Sequence, residues 1–345
     1  MLRKVKYFVK HVIYFIFFYS GLLHLFIILV KKIRKNHCAI ILFYHRFGEN
    51  EKKKILPYIE IKEFEKQIAH VKRLYKIISM DDIASILKSG QYFTEPLVAI
   101  TIDDGYRDNY ALAFPAIRKH RIPVIIYLTS GFVGTNSGLW VDDIEYMLLN
   151  TTVKTLRFRA LFGNDVLHIS SLQDRKKTLK KLFGAMLNLR NSQREKYLNM
   201  LAEILTIDIP SMNGRERIML NWEEIREMSN NGVEFGAHTV THPFLPVMPL
   251  EDGKNEIERS KDIIGEKIGK SIKHFAVPNG TKKDFTPALK GYCAETDFDT
   301  IVMTESGVVS SDADRYALKR IIPPPPLYYF ACEIARYFFS PMEKI

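Results

Sequence analysis

The stretch Leu97-Val98-Ala99-Ile100-Thr101-Ile102-Asp103-Asp104-Gly105-Tyr106 is an apolar run that stops at two carboxylates and a glycine. Its first six residues, rich in β-branched side chains, have the length and texture of a buried strand. Upstream, Ala39-Ile40-Ile41-Leu42-Phe43-Tyr44 is a second such run, ending at His45. Between the two, Phe64–Leu74 and Met80–Leu87 have helical spacing, with Ser79 placed to cap the latter. Downstream, a helical stretch leads to Pro123 and the strand Val124–Leu128. Val233–Gly236, Ile272–Val277 and Asp299–Met303 follow, each after a helical stretch. Strands alternating with helices predict an α/β fold built on a parallel sheet or barrel. In such folds chemistry gathers where strands end, and polar clusters do stand there: Tyr44-His45, Asp103-Asp104-Gly105, Ala237-His238 and Pro278-Asn279-Gly280.

The 345 residues are 47% apolar and 26% charged, which excludes a disordered or collagen-like chain. The net charge of +11 suggests a polyanion partner until its distribution is read. Residues 1–35 hold eight basic residues (Arg3, Lys4, Lys6, Lys10, Lys31, Lys32, Arg34, Lys35) and no acid. The remainder has 42 basic against 39 acidic residues, which is no nucleic-acid footprint. Val12–Val30 is nineteen residues without a formal charge, flanked by basic residues on both sides and long enough to cross a hydrocarbon core. The run is too long for a cleaved signal peptide, and Lys31-Lys32 follow where small residues should stand. The expectation is an N-terminal hydrophobic helix that attaches residues 1–36 to a membrane, spanning it or lying in its interface, with the side of the membrane undefined. A soluble helix docked on the rest of the protein is the competing reading. Cys38, Cys293 and Cys332 are scattered and odd in number, the pattern of inert buried thiols.

Two regions interrupt the alternation. Ser171–Leu205 is charged and amphipathic, with Leu179, Leu182, Phe183, Met186 and Leu189 at helical intervals, and marks a helical insertion over about 151–218. Pro323–Pro326 is an extended polyproline stretch, and the aromatic-rich segment Leu327–Phe339 after it is expected to pack on the sheet. Contact with the N-terminal segment is the alternative.

Three clusters carry the chemistry. Adjacent carboxylates such as Asp103 and Asp104 cannot share one face of a strand, so one is free to bind a metal while the other takes a proton. Asp-Asp-Gly is also an ordinary turn. In His238-Thr239-Val240-Thr241-His242-Pro243 two imidazoles four residues apart can converge on one metal, and Asp104 would complete a two-histidine, one-carboxylate set. Thr239 stands where a metalloprotease helix needs its glutamate base, so that motif is excluded. Two surface histidines beside a turn proline would read the same way. The third cluster, Phe275-Ala276-Val277-Pro278-Asn279-Gly280, says by itself only that a strand ends in a turn.

Taken together and in this order, Ile-Asp-Asp-Gly-Tyr at 102–106, His-Thr-Val-Thr-His-Pro at 238–243 and Phe-Ala-Val-Pro-Asn-Gly at 275–280 resemble the polysaccharide deacetylases of carbohydrate esterase family four. The resemblance runs from about Ile40 to Ile322, and includes Trp140, Asn221-Trp222-Glu223-Glu224 and Leu318-Lys319-Arg320-Ile321. It implies a distorted (β/α) barrel of about seven strands over residues 37–322, with 323–345 as a C-terminal extension. It further implies Asp103 as general base, and Asp104, His238 and His242 as ligands of a divalent metal, usually zinc. The backbone N–H of Asn279 becomes the donor to the oxyanion. The reaction implied is hydrolysis of an acetyl group from an N-acetylated sugar of a bacterial-type polysaccharide or glycoconjugate. Metal acidifies water and polarises the carbonyl, and an uncoordinated carboxylate takes the proton.

Two features depart from the common family pattern. Ala276 occupies the place of an arginine that usually orients the base, and no histidine follows His274 to serve as the usual C-terminal acid. Both departures are similar to a circularly permuted branch typified by biofilm poly-N-acetylglucosamine deacetylases, whose acid lies in a Tyr-His after the first strand. Tyr44-His45 matches it here, so His45 is the candidate acid; Arg320 is the candidate for the missing arginine, with Arg107 second. A catalytically inactive, membrane-attached glycan-binding protein on the same scaffold is the alternative, opposed by the intact Asp103, Asp104, His238 and His242. A glycosyltransferase using Asp103-Asp104 would leave both histidines without a role.

Overall fold

The computed structural model describes residues 2–33, 37–49, 54–207 and 216–339. Arg34, Lys35, Asn36, part of the 151–218 region and the end of the C-terminal extension lie outside the described residues. Seven parallel strands form the frame: β1 (Ala39–Tyr44), β2 (Leu97–Ile102), β3 (Val124–Leu128), β4 (Val233–Ala237), β5 (His274–Ala276), β6 (Thr300–Ser306) and β7 (Leu318–Arg320). They are paired in chain order, with Tyr44 opposite Ile102, Ile102 opposite Ile126, Leu128 opposite Ala237 and Ala237 opposite Phe275. The seam is closed by Ile321, whose N–H donates to Ile41 O at 2.8 Å while Phe43 N–H donates to Ile321 O at 3.1 Å. This is the α/β barrel expected from the alternation.

Strand periodicity explains why these runs are apolar throughout. Ile40, Leu42, Val98, Ile100, Val124 and Ile126 face the surrounding helices, whereas Ala39, Ile41, Ala99, Ile125, Tyr127 and Val302 fill the barrel interior. Among the helices are α3 (Ile61–Leu74), α4 (Met80–Ser89), α5 (Phe114–His120), α6 (Trp140–Asn150), α9 (Trp222–Asn230), α10 (Leu250–Ile268) and α11 (Pro287–Ala294). Ser79 caps α4 in a reciprocal box with Asp82, and Asn221 caps α9 in the same way with Glu224. The insertion contributes α7 (Leu172–Met186) and α8 (Asn191–Ile204), which share a separate core with α6 through Leu148, Leu182 and Leu201.

Three local expectations need correction. The insertion is not wholly helical: Thr155–Leu156 and Leu167–His168 form a short antiparallel pair, too brief to show alternation in sequence. The strand expected over Ile272–Val277 contracts to His274–Ala276. The N-terminal run is two helices rather than one, α1 (Leu2–Tyr19) and α2 (Leu22–Ile33), meeting at 78° where Gly21 adopts φ +79°. Among the described residues no single helix is long and apolar enough to cross a membrane. Leu23 and Ile27 of α2 are buried in the main core. The last helix, α12 (Leu327–Phe339), packs on α3 and β1 and also on α1, so both contacts considered for it are present. Tyr14 Oη donates to Glu333 Oε1 at 2.8 Å, and Lys10 Nζ lies 2.7 Å from the same oxygen.

Gly236 lets the barrel wall close, because a Cβ there would stand 2.5 Å from the Tyr127 ring and 2.8 Å from His274 O. Gly236→Ala should therefore lower stability by about 1–3 kcal/mol, the range for overpacking a filled interior. An unchanged denaturation midpoint would contradict this packing.

Candidate active site

The site is assembled from the C-terminal ends of β1, β2, β4, β5 and β6, where one cavity of about 310 Å³ is lined by His45, Asp103, Asp104, His238, His242 and Asn279. The neighbouring carboxylates diverge because Asp103 continues the inward phase of β2, while Asp104 turns into the left-handed region at φ 76°. Asp103 is buried against Arg320, which donates from Nη1 to Oδ1 and from Nη2 to Oδ2, each at 2.7 Å. Arg320 also donates to Met303 O at 2.8 Å and to Thr101 Oγ1 at 3.2 Å, and its guanidinium lies 4.3 Å from the Phe43 ring centre. Burial by itself would raise the Asp103 pKa, but the Arg320 charge and hydrogen bonds outweigh it and hold the carboxyl below the usual range.

Asp104, His238 and His242 present ligand atoms that all lie within 4.8 Å of one another. His238 Nε2 and His242 Nε2 stand 3.4 and 3.6 Å from Asp104 Oδ1, a buried oxygen that accepts no hydrogen bond. His238 Nδ1 lies 2.7 Å from Ala276 O, a contact that requires its proton and leaves Nε2 with the lone pair. Acceptors aimed at one point repel each other unless a cation lies among them, so these donors fit a divalent metal. Burial pushes the His242 imidazole down to about 4, with His238 adding to the effect. A neutral imidazole is the form a metal requires. Burial would also lower His238, but the Asp104 carboxylate reverses the direction and raises it. Asp104 itself is opposed by burial and held low by both histidines.

The loop that carries His238 and His242 is fixed from outside. Glu256 of α10 accepts from Val240 N–H and Thr241 N–H, both at 2.8 Å, and from Thr241 Oγ1 at 2.7 Å. Asn191, opening α8 in the insertion, donates from Nδ2 to Thr241 Oγ1 at 2.9 Å. His45 is half-exposed, with Nε2 3.9 Å from Asp103 Oδ2, and Asn109 Nδ2 donates to its carbonyl at 2.8 Å. The next residue, Arg46, pairs with Asp108 and Asp142 at 3.3 Å and lies over the Tyr106 ring, anchoring the chain that carries His45.

All the sequence-derived site residues except Arg107 therefore meet at one rim. Arg107 instead pairs with Glu216 and Glu224 near the start of α9, and Arg320 occupies the place beside Asp103. Phe183, whose spacing marks only a helix stripe in the sequence, lines the cavity and stacks on Trp140 at 5.4 Å, the rings 9° from parallel. Arg194 holds that wall in place: its guanidinium is 4.7 Å from the Trp140 ring centre, and it donates to the carbonyls of Met186, Leu187 and Leu189.

Residues 190–292 match a family model described as polysaccharide deacetylase. Over 111 residues the chain is 29% identical to YxkH of Bacillus subtilis, a protein assigned to the polysaccharide deacetylases. That match covers 31% of this chain and 37% of YxkH, so it spans little over a third of that relative. The fold is similar to IcaB from Ammonifex degensii, with TM-score 0.57, 17% identity, and 88% of this chain and 98% of that chain covered. It is also similar to the Streptococcus pyogenes deacetylase PplD in complex with acetate, with TM-score 0.56, 16% identity, and coverage of 84% and 93%.

Because Asp103 is held below its ordinary value, its ionisation stabilises the fold above about pH 4 and that contribution is lost on acidification. Arg320→Met should cost about 3–5 kcal/mol at pH 7, the range for removing one partner of a buried ion pair. The deficit should shrink in denaturant melts at pH 3.5; a deficit independent of pH would mean that packing, not charge, is what Arg320 supplies.

Proposed function

We propose that this chain is a metal-dependent hydrolase that removes acetyl groups from N-acetylated sugars of a polysaccharide or glycoconjugate. The convergence of Asp104, His238 and His242 beside a buried, ion-paired Asp103 in one cavity carries this reading. A divalent cation, zinc by preference for this donor set, supplies Lewis acidity toward water and an acetyl carbonyl when bound. Asp103, kept ionised and oriented by Arg320, takes the proton from the attacking water. The backbone N–H of Asn279, whose φ of 60° turns the chain at the rim, donates to the developing oxyanion. His45 gives the proton that the departing amine requires, and its exposure on the rim lets it reach a leaving group outside Asp103. Phe183 and Trp140 offer an apolar wall for the face of a sugar ring. Residues 12–30 attach the enzyme to a membrane.

Asp104→Ala, His238→Ala and His242→Ala should each abolish stoichiometric zinc binding in equilibrium dialysis, since each removes one of three protein ligands. Asp103→Asn should keep its metal while kcat for acetate release from N-acetylated oligosaccharides falls at least ~10²-fold. Near-normal turnover of Asp103→Asn would show that another group takes the proton.

His45→Gln separates an acid from a structural histidine. The variant should stay folded and metal-loaded, be slow on amides, and be impaired much less on activated aryl acetates, whose phenolate leaves unprotonated. Equal loss on both substrates would remove the acid role.

A further inference from the structure

Among the described residues, fifteen of the twenty exposed large apolar side chains sit on α1 and α2. Phe8, Ile13, Ile16 and Tyr19 of α1 are each more than half exposed, as is Leu25 of α2. A soluble surface does not carry such a continuous apolar patch without something to cover it. The opposite side of the same helices is docked: Tyr14, Phe17 and Phe18 pack on the core, and Leu23 and Ile27 are buried in it. Residues 1–35 contain eight basic residues and no acid, and Lys6 and Lys32 are exposed. Apolar side chains flanked by exposed basic ones match the interface of an anionic bilayer.

The placement of α1 and α2 gives this surface a consequence for the site. α3 begins where β1 ends, because Ile59 N–H, just before α3, donates to Arg46 O at 3.0 Å. It finishes at the opposite end of the barrel, where Lys76 pairs with Leu97 at the start of β2. α12 runs the same way, its Phe330 near His70 and its Phe338 stacked on Tyr75 at 4.8 Å. α1 crosses α12 near its start, where His11, Phe15 and Tyr19 all meet Tyr328 and Tyr14 bonds to Glu333. α2 turns toward the far end of the barrel, with Phe26 5.8 Å from Phe339 and Lys31 Nζ donating to Leu74 O. α1 and α2, at 78° to each other, therefore both lie on the outer side of α12 and α3 and cover the flank of the barrel. The cavity-lining Ile322 is five residues before Leu327, the first residue of α12. At the extended limit that chain spans about 17 Å.

We infer that α1 and α2 lie flat in the interface of an anionic bilayer with the barrel axis parallel to the membrane, so that the candidate active site opens sideways onto glycans carried by that same membrane. This rests on the membrane attachment proposed above and specifies its geometry. From α1 through α12 to the barrel wall are two packing layers of about 10 Å each, which places the reacting sugar some 20–25 Å from the embedded helix. The substrate sugar is then part of a chain that leaves the bilayer, and lies several sugars from its anchor.

The test uses the full-length protein and vesicles of anionic phospholipid. Fluorophores placed through Phe8→Cys and Ile16→Cys, at the two ends of the α1 stripe, should be quenched equally by shallow lipid-borne quenchers. A deep label at one end with an unquenched label at the other would overturn the flat arrangement, as would resistance to alkaline extraction, the mark of a spanning segment. Phe8→Glu combined with Ile16→Glu should reduce vesicle binding at least ~10-fold while leaving hydrolysis of a short soluble substrate unchanged. N-acetylhexosamine oligomers tethered to the vesicles through spacers of about 25 Å should be hydrolysed at least ~10-fold faster than free oligomers, through effective concentration. A gain seen only with spacers beyond about 45 Å, longer than the barrel, would turn the mouth away from the membrane and overturn the orientation while attachment stands. Failure to sediment with vesicles would overturn attachment itself, and a stable dimer in that case would assign the face to a second copy of the chain.

Discussion

A guanidinium sealed inside a barrel is tolerable only when its donors are taken, and Arg320 meets that condition across three strands. It reaches from β7 to a carbonyl on β6 and to Thr101 and Asp103 at the end of β2, with Phe43 of β1 beneath its plane. Those elements flank the seam where the sheet closes, so one cation links closure of the fold to the position of a carboxylate. The pair also determines what its neighbours can do. With both oxygens of Asp103 committed to Arg320, the free acceptor facing the histidines has to come from Asp104, and the backbone must turn sharply between the two to supply it.

The parts of this architecture that were legible in the sequence are those where burial writes a pattern. Strands covered on both faces read as unbroken apolar runs, and each of β1, β2 and β3 stood out for that reason. The His238–His242 spacing and the strand-end position of Asp103-Asp104 identified candidate ligands, and resemblance to a family related them to each other. Arg320 could be named only through that resemblance, since an arginine in Leu-Lys-Arg is as compatible with an exposed edge as with a barrel interior. The bend at Gly21 was hidden because a charge-free run reports length and not direction. Phe183 was hidden for a different reason. Its stripe with Leu179, Leu182 and Met186 shows that α7 has an apolar face, but which of those residues reaches the cavity depends on how the insertion docks. Glu256 gave no signal at all among the charges of α10.

The insertion and the barrel divide the work at the site. Strand ends hold the carboxylates and His238, where small displacements would matter most, while α7 and α8 hold the wall opposite. The insertion has its own hydrophobic core, joined to the barrel through α6, the Trp140 stack and the Asn191–Thr241 hydrogen bond. Its packing can therefore vary without disturbing the strand ends, and its contact with the histidine loop lets it influence how rigidly His242 is held.

The left-handed backbone at the rim sets local stability against the site. Asp104, Thr239 and His242 sit at φ 76°, 66° and 52°, where a side chain other than glycine costs about 1–2 kcal/mol per residue. Two of those three residues are the ones whose side chains converge with His238. Glycine would relax the backbone at either place and delete the ligand in the same substitution. The stability available from relaxing the backbone at this rim and the candidate ligand set therefore exclude each other at the same two positions.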